Sequence, residues 1–331
     1  MKRWPWLAIG ILVAVLIPLW LGGSDMLGRL QRFPAGLWPV MFAMIGLCWC
    51  INALRLRLLL GNLAGRLNLR RCLGTVMATE FAICATPGGS GGPLTLLALL
   101  GRHGVRPARA SAVFAMDQLS DLAFFLCALA GIFLYALFHH LNHSLQWLLM
   151  LSGLLMLGGL ALGIALVRWH RQVIRGNGKL LRMMGVSKHK RRRWARKLLH
   201  FLAAFKDTCA LPRSTLLKAF ALTCLHWGVR YSVLYMALQG LGADVRWAWT
   251  FLIQMLSLSA GQFSLLPGGA GAAELTSAAL LAPMVGKSTA AAAILIWRVV
   301  TYYFYLLAGA PVFAAMVGGP LLRRIKQRVY R

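Results

Sequence analysis

The sequence predicts an all-α, polytopic membrane protein with about six spanning helices and two re-entrant helical hairpins, all within one integral domain, 1–331. Three observations carry this expectation. Apolar runs of about 20 residues, the length that crosses a hydrocarbon layer of ~30 Å, recur along the whole chain. Two helix-breaking motifs, Pro87-Gly88-Gly89-Ser90-Gly91-Gly92 and Pro267-Gly268-Gly269-Ala270-Gly271, interrupt those runs 180 residues apart. Basic residues, finally, crowd into a few short stretches between the runs.

Each element follows in order. The first span, 5–22, comes after Lys2 and Arg3 but has no small-residue cleavage site, so it reads as a retained helix rather than a signal peptide. The second is 37–54. The first broken segment, 72–101, has limbs 72–86 and 93–101, both too short to cross at 1.5 Å per residue. It reads as a hairpin that enters and leaves on one side. Spans follow at 110–138, 145–167 and 214–241. The second broken segment, 248–286, has a first limb that nearly spans, so re-entry and crossing both stay open there. A last span covers 289–317.

Charge placement tests the topology. The chain carries 36 Lys and Arg against 7 Asp and Glu. In a soluble protein that balance would suggest nucleic acid, but 59% hydrophobic content and the loop locations exclude it. Thirty basic residues lie at 2–3, 55–71, 102–109, 168–213, Lys218 and 323–331. All thirty share one face only if both broken segments re-enter, the first from the cytoplasm and the second from the opposite side. Both termini are then cytoplasmic, in a bacterial inner membrane. The halves 30–138 and 214–317 become inverted repeats, and a shift of 180 also lays Ala110-x-Ala112 on Ala290-x-Ala292.

Between the halves, 168–213 is a cytoplasmic basic loop containing His189-Lys190-Arg191-Arg192-Arg193. Trp194, Leu198, Phe201, Leu202 and Phe205 then fall on one helical face, the pattern of an in-plane helix on anionic lipid. The plainer role is a topological anchor.

Six charges remain inside apolar segments: Glu80, Asp117, Asp121, Arg230, Glu274 and Arg298. Each costs at least ~2.5–3.5 kcal/mol at a helix centre unless paired or hydrated. Asp117 and Asp121 share a helical face, so a nearby cation or a shared proton is required. Arg298 aligns beside Asp117 under the 180-residue shift. Glu80 lies seven residues before Pro87 and Glu274 seven after Pro267. These charges, with Gly88, Gly89, Gly268 and Gly269 of the turns, are the expected substrate-binding set. Arg298, with Arg230, would hold an anionic headgroup, helped by free N–H groups at the helix starts after each turn. Structural ion pairs that merely lock helices together are the alternative.

Other chemistry is thinly supported. The seven cysteines lie mostly in apolar runs and read as buried small hydrophobes. His139-His140-x-x-His143 has loose metal spacing but sits where interfacial polar residues are common, so no metal is expected. His226 and Gln262 read as hydrogen-bonded structure. There is no GKT/S phosphate loop and no nucleophile–base set, so neither a cofactor nor an enzymatic activity is expected.

The segment from Pro87-Gly88-Gly89-x-Gly91-Gly92 through Asp117-Gln118-Leu119 resembles the first half of the lysylphosphatidylglycerol synthase transmembrane-region family. Leu266-Pro267-Gly268-Gly269-x-Gly271-x-x-Glu274, with Arg298 downstream, is similar to its second Gly-rich motif. The likeness covers about residues 30–320. It implies the flippase half of bacterial multiple-peptide-resistance proteins, without their soluble aminoacyl-transferring domain, and it carries over Asp117, Glu274 and Arg298. Gln118 stands where an arginine is expected, and Pro93-Leu94 replaces a more polar continuation. The expected function is movement of a polar-headgroup lipid, with a phosphate-bearing headgroup, between leaflets through a cavity at the two turns. The alternatives are a non-transporting subunit that presents lipid to a transferase, or an intramembrane lipid-modifying enzyme.

Overall fold

In lipid a backbone has no hydrogen-bond partner but itself, and apolar runs of this length fold as helices. A computed structural model describes residues 4–138, scattered positions between 150 and 172, and residues 188–318. Among the described residues all regular structure is helical, apart from one isolated antiparallel bridge between Pro87 and Pro267. In chain order the helices are α1 Trp4–Gln31, α2 Leu37–Leu60, α3 Leu69–Cys84, α4 Gly91–Arg102 and α5 Pro107–Phe138. After the intervening segment come α6 Lys188–Cys209, α7 Arg213–Gly240, α8 Trp247–Gln262, α9 Ala272–Val285, α10 Lys287–Arg298 and α11 Phe304–Phe313. A π-helical turn, Val299–Tyr303, joins α10 to α11. The expected span 145–167, the His139-His140-x-x-His143 group and the basic stretch 323–331 lie outside the described residues, wholly or in large part.

Four described helical stretches are long and apolar enough to cross a membrane: Leu7–Gln31, Leu37–Leu63, Pro107–Leu134 and Lys287–Val317. Helix α7, expected as the span 214–241, has 28 residues but carries Lys218, His226 and Arg230, which dilute its apolar character. The first helix outruns its expected end at 22 because Gly23 kinks it (φ 58°, ψ −159°) instead of ending it.

The two broken segments are helical hairpins. Helices α3, α4, α8 and α9 have 16, 12, 16 and 14 residues. At 1.5 Å per residue each is about 18–24 Å long, short of a ~30 Å hydrocarbon layer. The turns between the limbs rest on left-handed glycines: Gly88 and Gly89 at φ 56° and 67°, Gly268 and Gly269 at φ 64° and 70°. Other L-residues resist that conformation, which explains the glycine pairs.

Helices α2 to α5 recur as α7 to α11 at an offset of 180, and α6 falls at the offset position of α1. Packing repeats as well: α1 lies along α10 as α6 lies along α5, and α2 packs against its counterpart α7 through the middle. Small residues permit the close approach of α1, where Gly22 meets Ala291 within the buried run Ala290–Ala293. The bridge between Pro87 and Pro267 brings equivalent residues of the two hairpins together in opposite directions, the geometry of a local twofold.

Candidate functional site

A cavity of about 370 Å³ lies between the hairpin tips and the inner faces of α2, α5, α7 and α10. Nine of the ten residues singled out by the sequence line it: Glu80, Gly88, Gly89, Asp117, Asp121, Arg230, Gly268, Gly269 and Arg298. The tenth, Glu274, is fully buried behind Arg298.

Charge is arranged in three groups. In the first, Arg55 of α2 reaches across to α5, with Nε 2.6 Å from Asp117 Oδ1 and Nη1 2.7 Å from Asp121 Oδ1. The same Nη1 donates to Thr223 Oγ1 at 3.0 Å, and Trp227 Nε1 donates to Asp121 Oδ1 at 2.9 Å. One guanidinium thus relieves the repulsion between two carboxylates a turn apart. The sequence counts Arg55 with the surface cluster 55–71, yet it lies one turn inside α2 and is 4% exposed. Its position between an apolar run and Arg57 gives it the look of an interfacial residue. Only the converging α5 and α7 make it a core residue.

In the second group, Arg230 Nη1 of α7 donates to Tyr305 Oη at 2.8 Å and lies 3.8 Å from Glu80 Oε2. Its guanidinium sits over the rings of Tyr305 and Trp227, at 5.0 and 5.7 Å. This ion pair is the loosest of the set. Aromatic faces supply much of what the carboxylate does not.

In the third, Arg298 Nε is 2.7 Å from Glu274 Oε1, and its Nη1 donates to the carbonyl of Gly268 at 3.2 Å. Glu274 Oε2 accepts the N–H of Gly271 at 2.7 Å, and Tyr302 Oη donates to the carbonyl of Pro267 at 3.3 Å. Ser264 Oγ also donates to the carbonyl of Ala270 at 2.8 Å and accepts the N–H of Leu266 at 3.1 Å, so four side chains hold the second tip. Among the described residues, side-chain hydroxyls hold the first: Thr86 Oγ1 accepts the N–H of Gly91 at 2.8 Å, and Ser90 Oγ donates to the carbonyl of Pro87 at 3.1 Å.

Arg298 and Asp117, adjacent under the 180-residue shift, line the same cavity from different walls, and the carboxylate partner of Arg298 is Glu274. One expectation is corrected by this geometry: the helix starts after the turns do not offer Gly91 N–H or Gly271 N–H to a ligand. Thr86 and Glu274 already accept them.

Residues that the sequence passed over also face the cavity: Asn52, Thr79, Trp227, Tyr231, Gln254 and Tyr302. His226 and Gln262, read from the sequence as plain structure, line it too. No signal in the sequence separates them from ordinary helix residues; tertiary packing brings them together. No group of three His, Cys, Asp or Glu side chains among the described residues is placed to hold a metal ion.

Comparison with known proteins agrees with this architecture. The chain is 22% identical over 267 residues to a UPF0104 membrane protein of Archaeoglobus fulgidus, covering 79% of this chain and 81% of the other. The profile of the family described as "Lysylphosphatidylglycerol synthase TM region" matches residues 7–309. Apolar helices of spanning length, paired Gly-rich hairpins and a match over most of its length make this chain a member of the lysylphosphatidylglycerol synthase transmembrane-region family.

Proposed function

We propose that this membrane protein is a lipid flippase that passes a polar headgroup between leaflets through the cavity at the two hairpin tips. The observation that carries the reading is the antiparallel meeting of Pro87 and Pro267 beside a charged, 370 Å³ cavity. Broken helices meeting at a local twofold are how many secondary transporters place a binding site near the bilayer midplane. Limbs shorter than the hydrocarbon layer support re-entry of both hairpins, one from each face. Re-entry of both also gathers the basic stretches on the cytoplasmic side, with both termini there, in a bacterial inner membrane. Helix α6 and the basic segment before it would then lie against anionic lipid.

Charges inside apolar helices are expensive and usually functional. Here three guanidiniums and four carboxylates converge on one cavity and its back wall. An acyl chain need not enter a space of this size. The headgroup would cross through it while the tails stay in lipid.

The test is reconstitution of purified protein in liposomes carrying headgroup-labelled lipid, followed with a membrane-impermeant quencher. Quenching of inner-leaflet label faster than in empty liposomes supports the reading. Rates equal to empty liposomes across several lipid classes remove it. Release of a chemically altered lipid would point instead to an enzyme.

A further inference from the structure

The charges of the cavity answer one another, and what they leave over is largely neutral. Asp117 and Asp121 are held by Arg55, Glu274 by Arg298, and Glu80 faces Arg230. A phosphate monoester would enter a site with one more carboxylate than guanidinium. An isolated ammonium would have to draw a carboxylate away from its arginine. Gly91 N–H and Gly271 N–H are already taken by Thr86 and Glu274.

The leftover groups have a different character. Asn52 Oδ1, Thr79 Oγ1, His226 Nδ1, Gln254 Oε1 and Arg298 Nη2 are buried with no hydrogen-bond partner among the described residues, and all five residues line the cavity. His226, Gln254 and Arg298 are 2%, 0% and 3% exposed. The Gln254 amide nitrogen donates to the carbonyls of Tyr231 and Thr250, at 2.5 and 3.2 Å, so its oxygen is the free end. Buried polar atoms are nearly always hydrogen-bonded, so five unpartnered ones on residues around a single cavity call for a hydrogen-bonding partner there. The set mixes acceptors (Asn52, Gln254), a donor (Arg298) and groups that serve as either (Thr79, His226). A hydroxyl is the ligand group that donates and accepts at a single atom. Trp227, Tyr231 and Tyr302 add flat aromatic walls.

We propose that the cavity selects a hydroxyl-rich headgroup, a sugar or polyol that is uncharged or carries one phosphodiester, over an ammonium or a phosphate monoester. The inference rests on the flippase reading only for the lipid that bears the headgroup.

The test uses the purified full chain, native mass spectrometry and an equimolar mixture of glucosyl-diacylglycerol, phosphatidylcholine and phosphatidic acid with identical acyl chains. Glucosyl-diacylglycerol is retained about tenfold over the other two, the discrimination expected of one or two net hydrogen bonds. Gln254→Leu and His226→Phe bring that ratio toward one, with thermal unfolding reporting which variants fold. Thr79→Val, at a half-buried position, serves where either fails. Equal retention of all three lipids, a preference for phosphatidic acid, or an unchanged preference in folded variants overturns the proposal. Displacement of the glycolipid by millimolar free glucose keeps the hydroxyl recognition but counts against a lipid source. A retained preference without any flipping in liposomes counts against transport alone.

Discussion

Pro87 and Pro267 meet in an antiparallel bridge at the tips of the two hairpins, 180 residues apart in the chain. Each sits just before a pair of left-handed glycines, and those four glycines line the cavity. The second tip is held by Arg298, Tyr302, Glu274 and Ser264, the first, among the described residues, by its own hydroxyls. Different consequences follow for the two tips and for the charges behind them.

Arg298→Ala strands Glu274, which has no exposure to water. Breaking a buried pair from one side costs about 3–5 kcal/mol. Thermal unfolding in detergent should show Arg298→Ala strongly destabilised and Arg298→Met/Glu274→Gln largely recovered. If the single variant is as stable as wild type, the pair does not hold the tip.

Arg55 neutralises two carboxylates, whereas each aspartate answers to one arginine. Arg55→Met should therefore destabilise by about 3–5 kcal/mol, more than Asp117→Asn alone. Adding Asp117→Asn and Asp121→Asn to Arg55→Met should restore part of the loss. Equal unfolding temperatures for Arg55→Met and Asp117→Asn would contradict the three-residue arrangement.

The turn glycines are unequal. A Cβ on Gly268 collides with the Tyr302 ring, while one on Gly88 comes no nearer than 3.4 Å to the carbonyl oxygen of Gln262. Gly88→Ala should cost only the left-handed backbone penalty, about 1–2 kcal/mol. Gly268→Ala should cost more, and Tyr302→Ala should relieve part of the excess. Comparison of the unfolding temperatures of the three variants decides it.

Re-entry makes a topological prediction. Single cysteines replacing Asn62 and Arg106, which flank the first hairpin, should both be protected from an impermeant maleimide in intact cells. Cysteines replacing Asp244 and Lys287, which flank the second, should both react. All four positions are solvent-exposed. If Asn62 and Arg106 label oppositely, the first hairpin crosses the membrane.

Much of this was legible in the sequence. Helices α3, α4 and α7 begin and end within a few residues of the expected limits, and α8 and α9 together fill the second broken segment, because apolar runs and Pro-Gly-Gly breaks are local signals; α2 starts at the expected residue but runs to Leu60, past the expected end at 54. The intramembrane acids were legible for the same reason: a carboxylate in an apolar run has few explanations. Partnership was not. Arg55 reads as interfacial from its neighbours, and Glu274 gives no local sign that it both caps α9 and holds Arg298. The neutral set of Asn52, Thr79 and Gln254 stayed invisible because each is an ordinary helix residue until three helices converge. The kink at Gly23, which carries α1 on to Gln31, was hidden because a single glycine is tolerated within a helix.

The central claim is that headgroups pass where the two tips meet. Bridge-paired residues lie about 4.5–5.5 Å apart at Cα, within disulfide reach. The decisive measurement is lipid flipping by a Pro87→Cys/Pro267→Cys variant in which the seven native cysteines have been replaced. The account predicts rapid flipping when the pair is reduced, loss of flipping on oxidation and recovery with dithiothreitol. Full crosslinking with an undiminished rate, or no flipping by the reduced protein and by wild type, would contradict it.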